Sequence, residues 1–129
     1  MNTESTSVLL IDDDAALLEM IKLISERSRE ITIQTAQSAK EALGTLAQKS
    51  FDVIIVDYNM PQISGFEFLK ILRKHGNITP VIVFSDVDGE YPAIEALNNG
   101  ANFLLKKGED LNNEYRELVT AVNKAMELV

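Results

Sequence analysis

Five short apolar runs, separated by stretches with helical periodicity, set the tightest limit on how this chain can fold. "VLLI" (8–11), "ITIQTA" (31–36), "DVIIV" (52–56), "PVIVF" (80–84) and "NFLLK" (102–106) are strand-length and rich in apolar and β-branched residues. Four read as buried strands, whereas "ITIQT" alternates as an edge or half-exposed strand does. Between them, Leu17, Met20, Ile21 and Ile24 fall on one helical face, as do Tyr115, Leu118, Val119, Val122 and Met126. Ser38 with Glu41 and Ser64 with Glu67 have capping-box spacing. Asp14 and Asp110 are candidate N-caps. Gly100, after "EALNN", stands where a helix-ending glycine belongs.

Five rounds of strand then helix imply an α/β fold with a parallel sheet covered on both faces. Right-handed crossovers leave few topologies. The doubly wound, five-stranded flavodoxin-like order 2-1-3-4-5 suits a chain of 129 residues. That length fits one domain, expected over residues 8–129, after a polar and mobile tail over 1–7. The start "MNTESTS" lacks the basic and apolar regions of a secretory signal, and no apolar stretch approaches the ~20 residues that span a bilayer. Hence the expectation of a cytoplasmic protein with no membrane partner. With no cysteine, disulfides and thiolate metal sites are excluded. Twelve basic residues are scattered among twenty acidic ones, for a net charge of −8. A nucleic-acid surface gathers its basic residues on one face, so cations and proteins are the expected partners.

In the order 2-1-3-4-5, ligands meet the carboxyl ends of the strands at the switch between strands 1 and 3. Strand 1 runs into "IDDD" (11–14) and strand 3 into Asp57, so Asp12, Asp13 and Asp57 converge. Three carboxylates repel one another and each resists ionising. A divalent cation resolves the conflict, and Mg²⁺ takes oxygen ligands of this kind. Strand 4 ends with the Ser85 hydroxyl, and strand 5 with the pair Lys106 and Lys107. Carboxylate, metal, hydroxyl and ammonium together are what phosphoryl transfer needs. Each signal alone has a plainer reading: an N-cap in "DDD", a turn Asp, a solvated lysine. Four of them at successive strand ends, in order, outweigh those readings. His75, the one histidine, reads as a polar residue in the last turn of a helix.

At this point the chain resembles a response-regulator receiver domain of two-component signalling. The likeness rests on "LLIDDD", "DVIIVDYNMP", "PVIVFS" and "GANFLLKKG", and covers essentially everything after the tail. "IEALNNGANFLLKKGED" resembles more particularly the receivers of methanogenic archaea, with Lys-Gly where Lys-Pro is usual. The resemblance implies that Asp57 accepts a phosphoryl group from a phosphohistidine of a sensor histidine kinase or phosphotransfer protein. It implies that Asp13 and Asp57 ligate Mg²⁺ directly, Asp12 mostly through water, and Asn59 through its backbone carbonyl. Ser85 and Lys107 would bind the phosphoryl oxygens; counting from "GA" selects Lys107 over Lys106. Such a protein catalyses only its own phosphorylation and dephosphorylation, and is a signalling switch rather than a classical enzyme. The resemblance assigns docking of a downstream protein to the face formed by the fourth helix, the fifth strand and the last helix. With the last helix ending at Val129, a stand-alone receiver without an output domain is expected.

Rival readings are a receiver-like module that binds partners without phosphorylation, a hydrolase of the haloacid dehalogenase type, and a flavodoxin. The hydrolase needs a second carboxylate two residues after its nucleophile, where this chain has Asn59. A flavodoxin's phosphate loop after strand 1 is rich in Ser, Thr and Gly, whereas "DDDAAL" repels a phosphate.

Two residues depart from the family's pattern. The strand-5 position three before Lys107, usually aromatic, is Leu104, which lacks the ring that turns inward on activation; a smaller surface change is expected. The position after Ser85, usually small, is Asp86. A fourth carboxylate ~6 Å from an incoming phosphoryl group repels it by roughly 3 kcal/mol at an effective dielectric of 20, and by under ~1 kcal/mol in water. In an open crevice about 1–2 kcal/mol remains, or roughly tenfold in rate. Asp86→Ala is therefore expected to speed labelling by acetyl phosphate about tenfold at fixed Mg²⁺. An unchanged rate would make Asp86 an ordinary loop residue.

Overall fold

The computed structural model describes residues 5–85, 97–108 and 110–127. Five strands, β1 (Thr6–Ile11), β2 (Ile31–Ala36), β3 (Val53–Asp57), β4 (Val81–Ser85) and β5 (Phe103–Lys106), form one sheet in the order β2-β1-β3-β4-β5. Every pairing is parallel. The helices are α1 (Ala15–Ser28), α2 (Ala39–Leu46), α3 (Gly65–Lys74) and the last helix, α4 (Leu111–Met126). This is the flavodoxin-like order expected from the alternation. The helical pattern between β4 and β5 falls mainly on 86–96, outside the described residues.

The three inner strands explain the run-like sequence of their segments. Val8–Ile11, Val53–Val56 and Val81–Phe84 are all buried, because helices cover both faces of the sheet. On one face, Leu9, Ile11, Ile54, Val56, Val81 and Val83 pack with α2 and α3 through Ala42, Phe68, Leu69 and Leu72. On the other, Val8, Leu10, Val53, Ile55, Ile82 and Phe84 pack with α1 and α4 through Leu18, Ile21, Leu118 and Val122. With both faces closed, the strand ends are where polar side chains can gather.

Helix starts follow the capping signals. Asp14 caps α1 by accepting the Leu17 N–H at 3.1 Å, and Asp110 caps α4 by accepting that of Asn112 at 3.1 Å. Ser64 and Glu67 form the full reciprocal box at α3. At α2, Ser38 accepts the Glu41 N–H, but Glu41 reaches back to the N–H of Gln37. Gly100 has φ +96°, and its N–H bonds to the Leu97 carbonyl at 3.1 Å. His75 ends α3, its Nδ1 2.8 Å from the Ile71 carbonyl oxygen.

Three expectations are corrected. β1 begins at Thr6, so Thr6 and Ser7 belong to the strand, not to a tail over 1–7; they pair with Ile31 and Thr32 of β2. Polar residues there hid a segment whose backbone is held by its neighbours. In α1 the buried positions are Leu18, Ile21 and Ser25, with Leu17 and Ile24 half-buried, while Met20 is 48% exposed. The true stripe lies one residue round the helix. β5, expected buried, is an edge strand whose side chains are half-buried or exposed. Among the described residues no helix is long and apolar enough to cross a membrane.

Gly65 couples α3 to the end of β3. Its N–H bonds to the Tyr58 carbonyl at 3.1 Å, and a Cβ on it would lie 2.4 Å from the Asp57 carbonyl oxygen. Gly44, inside α2, would place a Cβ in open space. Gly→Ala inside a helix ordinarily stabilises by about 0.5–1 kcal/mol. Gly44→Ala is therefore expected to raise stability by about that amount in urea melts. At Gly65 the clash with backbone reverses the sign, and a loss of about 1–3 kcal/mol is expected. A Gly65→Ala variant as stable as the parent would remove the close approach from the account.

Candidate functional site

The parallel register brings the acidic residues to one level. Val8 pairs with Val53 and Ile11 with Val56, which carries Asp12 alongside Asp57 just beyond the paired segment. Asp57 in turn pairs with Phe84, and Ser85 with Lys106. The ends of β1, β3, β4 and β5 thus form one rim.

The three aspartates of "IDDD" have separate fates. Asp12 is buried, and its Oδ1 accepts the Asp14 N–H at 2.9 Å. Asp13 is exposed beside it. Asp14 is the α1 N-cap and takes no part in the cluster. Asp12, Asp13 and Asp57 each present a carboxylate oxygen within 4.8 Å of the others. This all-oxygen, all-anionic donor set fits a hard divalent cation such as Mg²⁺.

Lys107 is the cation of the cluster. Its Nζ lies 2.8 Å from Asp12 Oδ2 and 3.2 Å from Asp57 Oδ1, and 5.4 Å from the centre of the Phe84 ring. Lys106, the other half of the "KK" pair, closes β5 as an exposed residue. The Lys107 N–H donates to the Ser85 carbonyl at 2.7 Å, which extends the β4–β5 ladder by one bond and turns the next side chain to the rim. Ser85 is buried at the end of β4. Asn59 is exposed in the loop after β3, where its backbone N–H favours the charged form of Asp57.

These surroundings pull Asp57 in opposite directions. Burial and the charge of Asp12 raise its pKa from 3.8 to about 6, against the lowering effects of Lys107 and the Asn59 N–H. Burial disfavours the Lys107 ammonium, but its bonds and charge attraction to Asp12 and Asp57 outweigh that and hold its pKa above the ordinary lysine value.

Most of the residues expected at the site stand together here: Asp12, Asp13, Asp57, Ser85 and Lys107, with Asn59 in the adjoining loop. Asp86 lies outside the described residues. Leu104 packs against the α2–α3 side of the core, while Phe103 packs on the opposite side, as strand alternation requires. The sequence reading missed Gly65, Phe84 and Glu114. Glu114 is buried in the first turn of α4, beside Gly108. Its signal was available, since a carboxylate four residues before Leu118 falls on the helix's inward stripe.

The model of the family described as "Response regulator receiver domain" matches residues 8–123. The receiver domain of the Francisella response regulator 1452 is 35% identical, with a TM-score of 0.84, covering 95% of this chain and 98% of that one. The cell cycle response regulator CtrA of Brucella abortus is 31% identical over 100 residues, which are 78% of this chain and 43% of CtrA. The chain therefore spans less than half the length of such curated relatives. A CheY-like receiver domain protein from Methanospirillum hungatei, at 21% identity and a TM-score of 0.80 over 97% of this chain and 99% of that one, shares the fold. The Francisella and Brucella matches do not carry the methanogen resemblance further.

The raised pKa of Asp57 has a consequence for stability. Below about pH 4 the residue is protonated folded or unfolded; between about 4 and 6 only the folded state keeps the proton. Stability from this group is thus present at low pH and lost as pH rises through about 6. A displacement from 3.8 to about 6 corresponds to about 3 kcal/mol at most. In metal-free buffer at pH 7, Asp57→Asn is expected to be more stable than the parent by about 1–3 kcal/mol in urea melts, and the gain should shrink towards pH 4. A gain that does not change with pH would mean that Asp57 ionises like an exposed carboxylate.

Proposed function

We propose that this chain, which belongs to the response-regulator receiver family, accepts a phosphoryl group on Asp57 from a phosphohistidine of a histidine kinase or phosphotransfer protein. One observation carries the reading: a buried carboxylate at a strand end, 3.2 Å from a lysine ammonium, with Asp12 and Asp13 beside it.

In the transfer, an Asp57 carboxylate oxygen attacks phosphorus. The P–N bond to the donor imidazole breaks and its electron pair stays with that ring. The product is an acyl phosphate on Asp57. The attacking oxygen must be ionised, and a pKa of about 6 leaves Asp57 mostly ionised at neutral pH. It also leaves the carboxylate more basic, and so a better nucleophile, than an exposed Asp. Lys107, already against Asp57, holds a positive charge where the transferred oxygens arrive. Ser85 offers its hydroxyl from the next strand end. Asp12, Asp13, Asp57 and the Asn59 carbonyl would hold Mg²⁺, which when bound offsets the charge of the phosphoryl oxygens.

Phosphorylation changes Asp57 from one negative charge to a group of about −1.5 to −2 with three acceptor oxygens. Lys107 and Ser85 stand at the ends of β5 and β4, so a rearrangement at either is transmitted to the backbone of the β5 edge. That edge, with the outer side of α4, is the docking surface for a downstream protein in this reading. Exchange with a kinase of this kind belongs in the cytoplasm.

The test is labelling by acetyl phosphate with and without Mg²⁺. Label is expected on the parent only with the cation, and is expected to vanish in Asp57→Asn. Label that survives in that variant would move the acceptor elsewhere. No label under any condition would leave a partner-binding module without phosphorylation.

A further inference from the structure

Lys107 reaches the site on a flexible four-carbon stem, so the contacts of its ammonium decide where the charge rests. Asp12 Oδ2 lies 2.8 Å away and Asp57 Oδ1 3.2 Å. The third contact is not a carboxylate. Nζ stands over the ring of Phe84, 5.4 Å from its centre, inside the ~6 Å over which an aromatic face attracts a cation. The lysine side chain is only 18% exposed, and such a contact is stronger there than at an open surface.

The sheet puts these side chains on one face. Phe84 is the register partner of Asp57 on one side and of Leu105 on the other. Lys107 stands two residues past Leu105, and its N–H to the Ser85 carbonyl continues the ladder, so strand alternation turns it to the same face. Phe84 itself is buried in the core between the sheet and α1 and α4. Packing therefore fixes the ring as a platform.

The two carboxylates are shared groups. In the proposed chemistry both serve a divalent cation, and Asp57 becomes an acyl phosphate. Each event takes carboxylate charge away from Lys107. The ring has no oxygen for a metal to bind and takes no part in the transfer, so its hold on the ammonium outlasts both. We propose that Phe84 is a positioning residue for Lys107, its ring face keeping the ammonium beside the acceptor while the carboxylates are engaged elsewhere. A leucine at 84 would fill much of the same core volume but present no negative face to the cation. The inference rests on the phosphoacceptor reading of Asp57.

The test replaces Phe84 with phenylalanines carrying one, two and three ring fluorines, which keep the shape of the ring and withdraw charge from its face stepwise. Labelling of Asp57 by acetyl phosphate at saturating Mg²⁺ is expected to slow with each fluorine, reaching on the order of fivefold at three. Phe84→Leu is expected to slow labelling at least as much, and thermal melts check that each variant is folded. A readout without donor or metal follows the Lys107 Cε protons by NMR. The ring face is expected to hold their signal upfield of an exposed lysine's, and Phe84→Leu is expected to return it to the ordinary position. If the parent takes label and the fluorinated series shows one constant rate, the inference is overturned and the phosphoacceptor reading stands. An ordinary Cε proton position in the parent overturns the ring contact itself. If the parent takes no label, the phosphoacceptor reading fails and the inference falls with it.

Discussion

A sheet covered by helices on both faces leaves side chains of its inner strands no route to water along their length. Val8–Ile11, Val53–Val56 and Val81–Phe84 are uniformly apolar for that reason, and the polar chemistry of the domain is displaced to where the strands stop. The parallel direction then decides that β1, β3, β4 and β5 stop on the same side. Asp12, Asp57, Ser85 and Lys107 come from four separate parts of the chain, yet they share a rim because their strands end in register.

At that rim, burial and charge oppose each other. Asp57 is shielded enough for its pKa to rise to about 6, and Asp12 pushes in the same direction. Lys107 limits the rise, and is itself kept charged by the two carboxylates it joins. Among the described residues, one ammonium lies against this group of three carboxylates, which leaves a surplus of negative charge, the electrostatic opening for a divalent cation. In the proposed transfer, the same surplus adds to the basicity that burial gives the Asp57 carboxylate. A site with two lysines would be better neutralised and less nucleophilic.

Precision at the rim comes from backbone held outside it. Gly65 lets the start of α3 sit against the carbonyl of Asp57, fixing the end of β3. The Ser85 carbonyl holds the peptide before Lys107. These contacts touch no phosphoryl oxygen in the proposed chemistry, but they set the positions of the groups that do.

Much of this was legible in the sequence alone, because it rests on local physics. Run length and period separate strands from helices, and alternation of the two requires a parallel sheet. Capping at Asp14, Ser64 and Asp110 needs only a side chain and the next turn of backbone. The candidate acidic residues followed from standing just past apolar runs. Tertiary structure decided what local physics leaves open. Asp12 and Asp13 are adjacent carboxylates after one strand, and only the packing around the strand end divides them into a buried site residue and an exposed one. Lys106 and Lys107 differ by one position on a pleated strand, and the bond from Lys107 to Ser85 selects which one meets Asp12. Met20 lies outside the stripe because the true axis of α1 is set by the sheet it packs on. Glu114 falls on the inward stripe of its helix in the sequence, but only the fold brings Gly108 beside it. In each case the deciding partner is distant along the chain, and only packing of the whole sheet brings it within reach.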